Sequence, residues 1–80
     1  MNQTEIRNAV YAALGDIAPE VESGTLQGDR PIRDQVEIDS FDFLQLLIRL
    51  SESTGVEIPE SDYDRVQTLD GLITYVQERG

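Results

Sequence analysis

Cysteine and histidine are both missing from this chain, and all six of its basic residues are arginine. Without cysteine, no disulfide can staple the fold and no thiolate is available to bind a metal or attack a substrate. Without histidine, the chain lacks the side chain that most often serves as a general base near neutral pH and as a transition-metal ligand. Only carboxylates, tyrosines and hydroxyls remain for chemistry, so intrinsic catalysis is not expected. No apolar run approaches the roughly 18–20 residues needed to span a bilayer, and no membrane insertion is expected. Met1-Asn2-Gln3-Thr4-Glu5 has neither the basic start nor the apolar segment of a secretory signal, which points to a cytoplasmic protein.

Positive charge is scarce as well. Sixteen acidic residues face six basic ones, for a net charge of −10. Phosphate backbones reward clustered positive charge, so a nucleic-acid partner is not expected. The same field attracts basic protein surfaces and speeds encounter with them. It would also keep the protein soluble if it did nothing else. The 80 residues are enough for one domain, 1–80, with a thin core, expected to be a monomer.

The apolar pattern is helical. Ile6, Val10, Ala13, Leu14 and Ile17 recur at three- and four-residue steps and predict a helix over 3–17. Asn2 and Glu5 have the spacing of a capping box, and Pro19 supplies the stop. Residues 18–38 contain Pro19, Gly24, Gly28 and Pro31, which rule out a continuous helix. Val21, Leu26, Ile32, Val36 and Ile38 are spaced along this stretch like anchors. It therefore reads as a long ordered loop, with a short helical turn near 32–36. A second helix is predicted over 40–53, with Leu44, Leu47, Ile48 and Ser51 on its inner face. Phe43, Leu46 and Leu50 widen its apolar surface beyond the stripe usual for a surface helix. Gly55 ends it. Val56-Glu57-Ile58-Pro59 reads as extended, Ser61 to Arg65 as one short helical turn, and Thr68 as the cap of a last helix. That helix would bury Leu69, Leu72, Ile73 and Val76 and carry Tyr75 at its edge. The expected fold is all-α, a small four-helix bundle of three longer helices and one short one. Its core would include Leu44, Leu47, Ile48, Ile58, Val66, Leu69, Leu72 and Ile73.

Motifs for independent chemistry fail. Asp62-Tyr63-Asp64 begins like a calcium loop, but the sixth position is Gln67 rather than glycine and the twelfth is Ile73 rather than glutamate. No metal site is expected. Gly24-Thr25-Leu26-Gln27-Gly28 lacks the lysine and hydroxyl of a phosphate-binding loop. Glu37, Asp39 and Asp42 cluster in sequence with no nucleophile or oxyanion donor nearby, and solvated acids at a helix start account for them through the helix dipole. Ser40 stands apart from these. A serine at a helix start ordinarily caps it, but Asp39 already supplies a capping oxygen. A helix N-terminus also favours an attached phosphate, because unpaired amides and the dipole both stabilise negative charge.

Asp39-Ser40-Phe41 resembles the Asp-Ser-Leu signature of acyl carrier proteins, the attachment site of 4′-phosphopantetheine. Three segments extend the likeness on either side. Ile32-Arg33-Asp34-Gln35-Val36 is similar to the family's segment before the serine. Gly55-Val56-Glu57-Ile58-Pro59-Glu60 and the run from Thr68 to Val76 are similar to its later segments. The resemblance implies that Ser40 carries the cofactor through a phosphodiester, and that the thiol of the arm holds acyl groups as thioesters for partner enzymes. It implies that Asp39 assists the phosphopantetheinyl transferase, and that an acyl chain can slip between the helices. Acyl-transferring or condensing enzymes with basic surfaces would then read Asp34, Glu37, Asp39, Asp42 and Glu52, with Phe41 as the apolar contact beside the arm.

The chain departs from the family pattern at several positions. Phe41 replaces the usual leucine, Glu37 a common glycine, and Gln45 and Ser51 common glutamates, while Arg49 adds a positive charge to the same helix. The resemblance implies a carrier for fatty-acid, specialised lipid or polyketide-type synthesis, and these departures favour a dedicated one, with Gln45 and Arg49 among the recognition residues. The alternative is an acidic helical interaction module that keeps the fold and uses its surface alone.

Overall fold

The first helix, α1 (Gln3–Ile17), starts at a reciprocal cap. The Asn2 side chain accepts from the Glu5 amide at 2.8 Å, and the Glu5 carboxylate accepts from the Asn2 amide at 3.1 Å. Both donors would otherwise lack a partner at the helix start. Ile6, Val10, Ala13 and Leu14 are buried, and Tyr11 joins them. In this computed structural model, which describes residues 1–79, the architecture is helical apart from the loops and one isolated antiparallel bridge between Pro31 and Thr68.

The connection after α1 is ordered by particular contacts. The Leu26 amide donates to the Tyr11 hydroxyl at 3.1 Å. The Gln35 side chain accepts from the Gln27 amide at 2.6 Å and donates to the carbonyls of Gln27 and Arg30. Ile32 and Val36 enter the core, while Val21, Leu26 and Ile38 pack at its margin. The predicted helical turn is α2 (Ile32–Gln35). The Ile32 amide donates to the Gln67 carbonyl at 2.9 Å, which ties α2 to the segment before the last helix.

The next helix, α3 (Ser40–Thr54), ends at Gly55, whose φ of +74° lies in the left-handed region that glycine enters without steric cost. Its buried residues are Phe43, Leu46, Leu47 and Leu50. This corrects the inner face expected from the sequence. Leu47 is inside, Leu44 is half-buried, and Ile48 is 42% exposed. Apolar residues cover so much of the helix circumference that periodicity alone leaves its rotation undetermined. Packing against α1 fixes it.

A 3₁₀ helix (Glu60–Arg65) and then α4 (Leu69–Arg79) complete the chain. Thr68 caps α4, its hydroxyl accepting from the Gly71 amide at 2.9 Å. A β-carbon on Gly71 would lie 2.5 Å from the Arg65 carbonyl oxygen, so glycine lets the end of the 3₁₀ helix lie against α4. Tyr75, expected at an edge, is buried. Its hydroxyl donates to Asp62, and the Arg79 guanidinium stacks 3.8 Å above its ring. The carboxylate gives the buried hydroxyl a partner, which removes the cost of taking it out of water. The same hydrogen bond, reinforced by desolvation, holds the Tyr75 hydroxyl above the usual tyrosine pKa range.

Inside the bundle, α1 packs against both α3 and α4. Ile6, Val10, Leu14, Leu46, Leu50, Leu72 and Val76 form the sealed centre of one continuous core. Burying each large aliphatic side chain is worth about 1.5–3 kcal/mol.

Candidate functional site

The start of α3 divides its labour between adjacent residues. Asp39 is extended, with φ −89° and ψ −177°, and its Oδ1 accepts from the Asp42 amide at 2.9 Å. Its carbonyl accepts from the Phe43 amide at 3.0 Å. Asp39 is therefore the cap. Ser40 is the first residue inside the helix and is exposed, and its hydroxyl makes no hydrogen bond among the described residues. The amides of Ser40 and Phe41 belong to the first turn and have no partner within the helix. A free hydroxyl thus stands beside unpaired donors at the positive end of a helix dipole.

Ser40 also opens onto a cleft of about 450 Å³. Phe41, Phe43 and Leu44 wall it from α3, with Tyr63 from the 3₁₀ helix and Gln67 opposite. Arg33 of α2 is the only cation among its described lining residues. A larger cleft of about 660 Å³ lies in the long loop, away from Ser40. Glu20, Glu22, Asp34 and Glu37 line that one. Such carboxylates keep their water, so the smaller, more apolar cleft is the better place for an aliphatic guest.

The outer surface of α3 carries a stripe at helical spacing: Phe41, Gln45, Ile48 and Glu52. Phe41 is 64% exposed, and with Ile48 it accounts for two of the three large apolar side chains exposed among the described residues. Glu37, Asp39 and Asp42 surround the Ser40 end. Glu52 lies twelve residues on, about 18 Å along the helix axis. Asp34 faces the loop cleft together with Glu37. Arg49 sits on the flank of the stripe and pairs with Asp16 of α1 at 3.3 Å. Both partners are exposed, so the pair contributes about 0–1 kcal/mol. Sequence reasoning passed over Ile48 as a surface residue, and did not single out Arg33 or Tyr63. Tyr63 lay inside the failed calcium motif, where its apolar ring carried no weight. Among the described residues, no group of three acidic side chains converges to hold a metal ion.

Residues 5–76 match the family described as the phosphopantetheine attachment site. The chain belongs to this family. The carrier is 29% identical over 78 residues to an acyl carrier protein of Rubrobacter xylanophilus, an alignment covering 98% of this chain and 95% of that protein. It is 27% identical over 79 residues to an acyl carrier protein of Thermosynechococcus vestitus, covering 99% and 96%. It is also similar to the meromycolate extension acyl carrier protein of Mycobacterium leprae, at 25% identity over 72 residues, covering 86% of this chain and 63% of that one. The carrier has a phosphopantetheine attachment site, and its family is one of non-catalytic carriers. Members of the family require a phosphopantetheinyl transferase and acyl-handling partner enzymes. No described helix is long and apolar enough to cross a membrane.

Proposed function

We propose that residues 1–80 act as one carrier unit in which Ser40 Oγ holds the phosphopantetheine through a phosphodiester. The observation that carries this reading is the separation of roles at the start of α3. Asp39 does the capping, which leaves an exposed Ser40 hydroxyl at the mouth of an apolar cleft. The residues present suit the group. A phosphodiester at Ser40 would place its negative charge beside the amides of Ser40 and Phe41. Arg33, lining the same cleft, offers a cation there. When bound, the cofactor supplies the thiol that the chain itself lacks, and the protein supplies position and recognition.

Partner enzymes would dock on the stripe of Phe41, Gln45, Ile48 and Glu52, with Glu37, Asp39 and Asp42 steering basic surfaces toward it. Exposed ion pairs are individually weak, which suits brief, salt-sensitive encounters that release the carrier between steps. Two exposed apolar side chains on that stripe favour partners with a matching apolar recess.

The test is transfer of phosphopantetheine from coenzyme A by a broad-specificity transferase, read by intact mass. Wild-type protein should gain the arm, and Ser40→Ala should gain nothing while keeping its helical circular dichroism. A mass gain in folded Ser40→Ala would move the site elsewhere.

A further inference from the structure

The cleft beside Ser40 has a neighbour. A smaller pocket of about 170 Å³ lies farther along α3, with Leu47, Ile48, Ser51 and Ile58 in its walls and Glu52 and Glu57 also lining it. Among the described residues, Tyr63 is the one that lines both. Leu44 in the first cleft is about 6 Å along the helix from Ser40, whereas Leu47 to Ser51 lie about 10–17 Å along it. The two spaces therefore follow one edge of α3 in sequence, with the Tyr63 ring between them.

The backbone at this partition is fixed. The Tyr63 carbonyl accepts from the Val66 amide at 3.2 Å and from the Gln67 side chain at 2.7 Å. The preceding residue, Asp62, accepts from the buried Tyr75 hydroxyl and lies 3.9 Å from an Arg79 nitrogen. Gly71 lets the Arg65 end of the 3₁₀ helix rest on α4. The Tyr63 ring packs against the edge of the core, and its hydroxyl has no hydrogen bond among the described residues. Packing alone therefore holds it where it divides the trough.

We propose that Tyr63 sets the length of aliphatic acyl group this carrier can shelter. This rests on the reading of Ser40 as the attachment point, because only a chain delivered there enters the first cleft. A short acyl group fills the space bounded by Phe43, Leu44 and Tyr63. A longer one meets the ring and is left with its end in water. Removing the ring joins the two spaces into a single trough reaching Ile58.

The experiment loads wild-type, Tyr63→Ala and Tyr63→Trp proteins with straight-chain acyl-phosphopantetheine groups from butyryl to myristoyl. Intact mass verifies each product. Thioester cleavage by hydroxylamine reports shielding, and the melting temperature reports burial. In wild type, protection and melting temperature should rise with chain length and then level off or fall. In Tyr63→Ala the turning point should move to longer chains, with the longest thioesters cleaved several-fold more slowly than in wild type. In Tyr63→Trp it should move to shorter chains. Identical length profiles for wild type and whichever variants fold would overturn the proposal. Should Ser40→Ala load as wild type does, the attachment reading fails, and the Tyr63 proposal falls with it. Loading lost in Ser40→Ala alongside unchanged length profiles refutes Tyr63 alone.

Discussion

The two longest helices of this carrier, α1 and α3, each have 15 residues and a polar cap, yet they are finished differently. At α1 the cap is closed on both sides, with Asn2 and Glu5 each satisfying the other's amide. At α3 only Asp39 acts, and its neighbour Ser40 is left with a free hydroxyl. The faces differ too. The residues of α1 facing solvent are small or polar, whereas α3 buries Phe43, Leu46, Leu47 and Leu50 and still displays Phe41 and Ile48. One helix is built to hold the fold. The other holds the fold with one face and leaves its start and outer face free for other molecules.

Substitutions can sharpen that contrast. The largest stability loss is expected from the inner face of α3. Leu46→Ala should cost about 2–5 kcal/mol in denaturant unfolding, comparable with Leu14→Ala in α1. Ile48→Asp and Phe41→Asp, on the outer face, should melt close to wild type and yet slow acyl transfer to partner enzymes. Equal stability losses on both faces would erase the distinction.

The caps give a smaller effect. Asn2→Ala and Asp39→Ala should each cost about 0.5–2 kcal/mol. Asp39→Asn should restore most of the stability, since asparagine caps as well as aspartate. It should not restore phosphopantetheine transfer if the Asp39 charge also serves the transferase. Full transfer to Asp39→Asn would reduce Asp39 to a cap like Asn2.

The smallest effect belongs to the support of the 3₁₀ helix and appears only in alkali. The Tyr75 pKa is raised in the folded state by its hydrogen bond to Asp62. Its contribution is present below the unfolded tyrosine value of about 10 and is lost as pH rises through the folded value. The melting temperature should therefore fall more steeply above that pH in wild type than in Tyr75→Phe. Parallel curves would show that the bond does not set the alkaline limit.

Much of this was legible in the sequence because it is local. The Asn2–Glu5 box, the Asp39 cap, the Gly55 stop and the turn near 32–36 each depend on residues a few positions apart. The free Ser40 hydroxyl followed from the same short-range argument. The rotation of α3 does not, because an apolar surface broader than a stripe is compatible with several inner faces, and the structure turns Ile48 outward. Tyr75 is buried rather than at an edge for a related reason: its partner, Asp62, is thirteen residues away. The hold of Tyr11 on Leu26 spans fifteen residues and is equally invisible to periodicity. Tyr63 gains its meaning only when the two cavities on either side of it are seen together.

The lack of lysine makes the central claim directly measurable. Cleavage after arginine releases the fragment 34–49, in which Ser40 is the only hydroxyl-bearing side chain. Protein isolated from the cells that make it, digested this way and analysed by mass spectrometry, should carry the phosphopantetheine mass on that fragment. That fragment unmodified, with the mass on another one, would contradict Ser40 as the attachment point.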